Sequence, residues 1–157
     1  MNFLSFLTQT PNAIARIYGS PNYPELDGII KFYGTDVGTI VISKVSGLPQ
    51  NDDICHQPIF AFHIHEGSSC SGNNSDFFAN ALTHYNPDSC PHPYHAGDMP
   101  PLFSANGLAF SAFLTDRFSV DEIIGKTVII HDSPDDFTTQ PSGNSGTKIA
   151  CGVIEEY

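Results

Sequence analysis

The sequence predicts an all-β fold: an antiparallel barrel or sandwich of eight short strands, closed or nearly so. Three observations carry this. Eight apolar-rich or alternating runs recur along the 157 residues. Turn signals separate several of them. The 13 glycines and 12 prolines favour short strands and long loops over helices. One domain is expected over residues 1–157, with 1–11 as a short N-terminal extension, because a chain of this length encloses a real core.

The strand-like runs lie near Ala13–Tyr18, Gly28–Tyr33, Thr39–Val45, Ile59–His65, Pro101–Ser104, Leu108–Leu114, Thr127–His131 and Ile149–Ile154. The strings GSPN before Tyr23, GTDVG at 34–38 and SANG at 104–107 mark turns, since glycine, proline and asparagine supply the dihedrals that tight reversals need. Ser119–Ile124 (SVDEII) reads as a brief helical turn with Ser119 as its cap. Two stretches resist the strand reading. Glu66–Met99 and Asp132–Thr147 are long loops inside a compact domain, and such loops are functional or disordered. The first is dense in histidine, cysteine and aspartate, which favours function.

The net charge of −11 excludes whole classes of activity. The basic residues are Arg16, Lys31, Lys44, Arg117, Lys126 and Lys148, and they form no patch able to neutralise phosphates. Nucleic acid is therefore not an expected partner. An acidic chain also repels anionic membranes, and no apolar run approaches the ~18 residues of a membrane span. The N-terminal MNFLSFLTQTPN lacks a positive segment and a cleavage signature, so a cytoplasmic chain is expected, with an exported form left open.

Six of the seven histidines fall in three groups. His63 and His65 stand two apart on a predicted strand, so both rings share one face and can reach one ion. His84, His92, His95 and Asp98 follow in the long loop at spacings of eight, three and three. His131 ends the strand TVIIH. A lone His-x-His pair is commonly incidental, but four ligand-type residues within fifteen positions point to a metal. Exposed histidines in a polar loop would explain neither the proline-stiffened spacing nor the aspartate so close behind His95. An all-imidazole set suits copper, and a histidine-rich set with one carboxylate suits tetrahedral zinc. His56 has no assigned role and reads as a solvated loop residue.

The strings FHIHEG (62–67), HYNP (84–87), HAGD (95–98), GKTVIIHDSPDD (125–136) and GNSGTKIACGV (143–153) resemble the copper/zinc superoxide dismutases, in a bacterial-like form. The strand pattern from about residue 12 to 154 fits as well. The resemblance implies an eight-stranded Greek-key barrel of immunoglobulin-like character with two functional loops. It also implies copper and zinc as cofactors and superoxide as substrate, converted to oxygen and hydrogen peroxide. By position, it makes His63, His65 and His131 copper ligands and His84 the imidazolate bridge between the metals. His92, His95 and Asp98 become the remaining zinc ligands. Asp135 becomes the carboxylate that links His63 to His92 and fixes their tautomers.

The same resemblance casts His84 and Lys148 as the residues acting in catalysis. His84 would take a proton when its bond to copper opens. Lys148 stands where the family usually has an arginine, and would guide the anion with looser positioning than a planar guanidinium gives. Ser142 would add a hydroxyl beside the channel. Cys70 and Cys151 would form the family disulfide. Cys55 and Cys90 fall outside the pattern and are left as either a second disulfide or two free thiols. Cys90 as a zinc ligand is set aside because that site is already full. A homodimer is carried as an open expectation, since the family contains dimers and monomers. Two other classes of function are weighed against turnover: a dismutase-like barrel that only binds copper or zinc, and a structural sandwich with incidental histidines.

Overall fold

The computed structural model describes residues 8–53, 55 and 58–157. The start of the N-terminal extension, residues 1–7, and His56 lie outside the described residues. The strands are β1 (Ala13–Gly19), β2 (Asp27–Thr35), β3 (Gly38–Ser46), β4 (Ile59–Phe60), β5 (Phe62–His65), β6 (Leu102–Phe103), β7 (Ala109–Thr115), β8 (Thr127–His131) and β9 (Lys148–Glu156). One short helix, α1 (Val120–Ile123), sits between β7 and β8. The Glu122 carboxylate accepts from the Ser119 backbone N–H at 2.6 Å and from its hydroxyl at 2.7 Å, so the expected turn starts at Ser119.

All strand pairs are antiparallel. Seven strands form one sheet in the order β5-β8-β9-β1-β2-β3-β7, and β4 pairs with β6. The neighbours β5–β8, β9–β1 and β3–β7 are distant in sequence, which is the Greek-key signature. β4 runs into β5 across Ala61, and β6 leads through a tight turn into β7, so the short pair links the two ends of the curled sheet. In that turn Ala105 and Leu108 exchange backbone hydrogen bonds at 2.7 and 3.1 Å, while Asn106 and Gly107 take positive φ of 53° and 77°. An Asn-Gly pair tolerates those values at little cost.

The run Ile59–His65, expected as one strand, breaks at Ala61, and the pieces pair with different partners: β4 with β6, β5 with β8. Ala61 N donates to Ser133 O and its carbonyl accepts from His131 N, so the break is hydrogen-bonded to the chain around His131. The interior is filled by alternate residues of the strands, among them Ile17, Ile30, Phe32, Val41, Phe60, Phe62, Ile64, Leu102 and Ile130, all 1% exposed or less. Truncating one of these phenylalanines to alanine is worth ~3–5 kcal/mol.

Strands β5 and β8 are buried on both faces. Phe62, Ile64, Val128 and Ile130 enter the core, while His63, His65 and His131 face the covering loops. TVIIH therefore reads as an apolar run, while FHIH alternates core phenylalanine and isoleucine with histidines that are equally buried. No helix among the described residues is long and apolar enough to cross a membrane.

Candidate metal centre

The period-two geometry of β5 sends His63 and His65 to one face, and both are buried. The free edge of β5 is then covered by pieces of the long loop. Tyr85 N donates to Ile64 O at 2.8 Å, Ile64 N to Gly97 O at 2.9 Å and Gly97 N to Tyr85 O at 2.8 Å. Isolated bridges set His84 against His65 and Asp98 against His63. The loop therefore extends the sheet locally, and this pairing delivers His84 and Asp98 to the histidine face.

His131 arrives through an irregularity. The β8–β9 register steps from Ile130↔Ala150 to His131↔Lys148, leaving Ile149 unpaired. Bulges of this kind re-aim a side chain. His65 Nε2 and His131 Nε2 stand 3.3 Å apart. The ligand atoms of His63, His65, His84 and His131 all lie within 4.8 Å of one another. The other ring nitrogens are tied outward: His65 Nδ1 donates to Leu82 O at 2.9 Å, and His131 Nδ1 to Gly146 O at 3.3 Å. Each bond fixes a tautomer and leaves the inward nitrogen as a lone pair.

A second cage lies across the His84 ring. Its Nδ1 is 2.7 Å from Asp98 Oδ1 and 3.4 Å from His95 Nδ1, and His92 Nδ1 is 3.0 Å from Asp98 Oδ2. His84, His92, His95 and Asp98 again present atoms within 4.8 Å of one another. A tetrahedron with bonds of ~2.0–2.1 Å has edges of ~3.3 Å, so spacings of this order are those of one ion's ligands. His63 Nδ1, His84 Nε2 and His92 Nδ1 are buried nitrogens without a hydrogen-bond partner. Buried polar atoms are normally satisfied, so each orphan calls for another partner, and an ion supplies it. The donor chemistry fits the two metals: four imidazoles on one side, three imidazoles and a carboxylate on the other.

Asp135 joins the cages from behind. Its Oδ2 accepts from His63 Nε2 and its Oδ1 from His92 Nε2, both at 2.8 Å, while Phe137 N donates to Oδ1 at 2.7 Å. Burial opposes its charge, but the His63, Phe137 and His92 hydrogen bonds outweigh that and pull its pKa down to about 2. Burial likewise opposes charge on Asp98, and the hydrogen bond from His84 together with the nearby His84, His63 and His95 rings outweighs it, lowering its pKa. Desolvation pushes His65 well below its ordinary value, His131 down to about 3, and His63 and His95 lower, the carboxylates near the last two opposing only in part. Rings held neutral at pH 7 are rings able to ligate.

Other supports had no clear signal in the sequence. Gln140 grips His92 from the second loop, accepting from its N–H at 3.0 Å and donating to its carbonyl at 2.7 Å. Gly143 has φ of 67°, and a Cβ there would collide with Asp135 Oδ1 and crowd His92 Nε2. Arg117 Nη1 donates to Pro93 O at 3.0 Å and to His95 O and Asp98 O at 3.3 Å, bracing the loop of the second cage. Gly143 and Arg117 stood in view as a motif glycine and one of six basic residues. Leu82 and Gly146 act through carbonyls, which no side chain announces.

A cavity of about 440 Å³ opens onto the first cage and is lined by His65, His84, His131, Glu66, Ser142 and Lys148, among others. Ser142 and Lys148 both line this cavity. The Lys148 ammonium is bound there to Asp76 at 2.8 Å. Cys70 and Cys151 form a disulfide spanning 81 residues, which in the chain-entropy model contributes ~4–5 kcal/mol. Cys55 and Cys90 are free thiols; the second disulfide does not form.

Two adjacent cages that share one imidazole, set on a Greek-key barrel, define a dinuclear metalloprotein. Residues 26–154 match the family described as copper/zinc superoxide dismutase (SODC). The chain is 34% identical over 140 residues to the superoxide dismutase [Cu-Zn] of Photobacterium leiognathi, covering 78% of this chain and 80% of that one. It is 32% identical over 145 residues to superoxide dismutase [Cu-Zn] 2 of Aquifex aeolicus (83% and 80%), and 31% over 149 residues to that of Legionella pneumophila (90% and 85%). The chain belongs to the copper/zinc superoxide dismutase family.

Proposed function

We propose that the chain is a working dismutase that converts two superoxide anions and two protons into oxygen and hydrogen peroxide. The supporting observation is the His84 ring, which turns Nε2 to one cage and Nδ1 to the other while buried between them. In this reading His63, His65, His131 and His84 would hold copper, and His84, His92, His95 and the Asp98 carboxylate would hold zinc. Copper supplies the one-electron chemistry that zinc lacks. His84 Nε2 is the atom that takes up a proton and yields it to peroxide. Its Nδ1 stays anchored, so the ring keeps its aim. Asp135 keeps His63 and His92 in the tautomer that leaves Nδ1 free to ligate. The Asp98 carboxylate balances charge in the second cage.

The reading takes residues 1–157 as one domain, leaves a homodimer as an open expectation, and has neither nucleic acid nor an anionic membrane as partner. Copper- and zinc-loaded protein, with metal content measured on the same sample, should accelerate superoxide decay. His84→Ala should abolish that and reduce content of both metals. A fully loaded protein without effect on superoxide would leave a metal-binding barrel in its place.

A further inference from the structure

We propose that Asp76 sets how strongly the metal cavity draws in anions, by neutralising Lys148, the one lysine or arginine on the cavity wall. This rests on the function proposed above. The register places Lys148 opposite His131, at the cavity wall. Its Nζ does not reach freely into that space. It donates to Asp76 Oδ2 at 2.8 Å and to Phe78 O at 3.2 Å, and the side chain is 15% exposed.

Asp76 is held for this contact by hydrogen bonds to its backbone and to one carboxylate oxygen. Its Oδ1 accepts from Phe78 N at 3.0 Å, which leaves Oδ2 to face the ammonium. Its N–H donates to Asn73 Oδ1 at 3.1 Å, and its carbonyl accepts from Asn73 N at 2.9 Å and Ala79 N at 3.2 Å. Phe78 packs with Ile129 and Cys151 beside the Cys70–Cys151 disulfide. Gly72 has no room for a Cβ, which would meet the Asp76 carbonyl. A loop so tied keeps the carboxylate beside Nζ, with its side chain 37% exposed.

The charge balance follows. Lys148 is cancelled by Asp76, the cavity wall also carries the exposed carboxylate Glu66, and the whole chain stands at −11. An incoming anion therefore meets no unpaired protein cation at the cavity and is drawn by the metals alone, against the field of an acidic protein. Asp76 is a positioning residue: it touches neither substrate nor ligands and acts through Lys148.

Asp76→Asn tests this with little change of shape. The amide oxygen keeps the bond from Phe78 N, and Nζ is left with only the neutral Phe78 carbonyl. Two readouts on copper- and zinc-loaded protein decide the matter: the second-order rate constant for superoxide decay as a function of ionic strength, and azide affinity followed by visible absorption. Wild type should show a rate constant that rises with salt as repulsion is screened. In Asp76→Asn the low-salt rate constant and the azide affinity should rise by about three- to tenfold, at or below the lower end of what a whole charged cleft gives to steering, and the salt slope should turn negative. Adding Lys148→Met to Asp76→Asn should erase these gains. Unchanged or weaker azide binding in Asp76→Asn, or a salt slope equal to wild type, would overturn the proposal. A wild type that binds azide but does not accelerate superoxide decay would sink the functional reading instead, and the azide series would still judge Asp76.

Discussion

Replacing Asp135 with asparagine should weaken one metal site far more than the other, and the structure says which. Asp135 Oδ1 accepts two N–H groups, from His92 and from Phe137, whereas Oδ2 accepts one, from His63. An amide has one acceptor and one donor. The oxygen keeps most by taking the Oδ1 position, so the NH2 group faces His63 Nε2. That nitrogen must then offer a lone pair, and its proton moves to Nδ1, the atom that points into the first cage. His92 keeps its tautomer. Copper thus loses a ligand while zinc loses only the carboxylate's charge behind one ring. Changes at such supporting contacts cost ~10–100-fold in affinity, or ~1.4–2.8 kcal/mol. The Asp135→Asn variant should fall in that range for copper(II) and by less than about tenfold for zinc, measured separately by chelator competition. Ring-nitrogen NMR of His63 should report the proton on Nδ1. Equal losses at both sites, or a larger loss for zinc, would refute the tautomer argument.

Arg117→Ala should remove a donor from three carbonyls of the 93–98 loop, of which His95 O keeps the Asp98 N–H, costing ~1–3 kcal/mol. Hydrogen exchange should rise across that loop and zinc affinity should fall, with Arg117→Lys restoring part of both. Gly143→Ala forces a positive φ and a collision with Asp135 Oδ1, so it should destabilise by about 2 kcal/mol or more and weaken both metals; an unchanged melting temperature would contradict the packing. The metal-free protein should lose stability toward acid in two stages. His131, held at about 3, resists a proton that the unfolded ring takes below ~6.5, so stability falls from that pH downward. Asp135, held at about 2, contributes fully above ~3.9 and loses its contribution as pH drops toward 2. Urea midpoints from pH 7 to 3 check this, and a flat profile would count against it.

What could be read from the sequence divides along a physical line. Strand positions were legible because burial imposes a period of two on side chains, and turns because asparagine and glycine take the dihedrals of 106–107 at little cost. The ligands were legible because metal chemistry restricts residue type. The break at Ala61 was not, since a run buried on both faces looks the same whether it pairs with one strand or changes partner midway. Nor was the bulge at Ile149, where nothing in the residue type marks it as left out of the pairing.

Charge shows the limit most sharply. Lys148 could be placed beside the cavity only through the family resemblance, and its partner lies 72 residues earlier in a loop with no strand pattern. A net charge is a sum over the chain, whereas the field at a cavity is set by which charges are paired and which are not. Pairing is a property of contacts. An acidic chain with one cation at its site therefore admits two opposite expectations, guidance or neutrality. Only the hydrogen bond from Phe78 N to Asp76, which turns the remaining oxygen toward Nζ, selects between them.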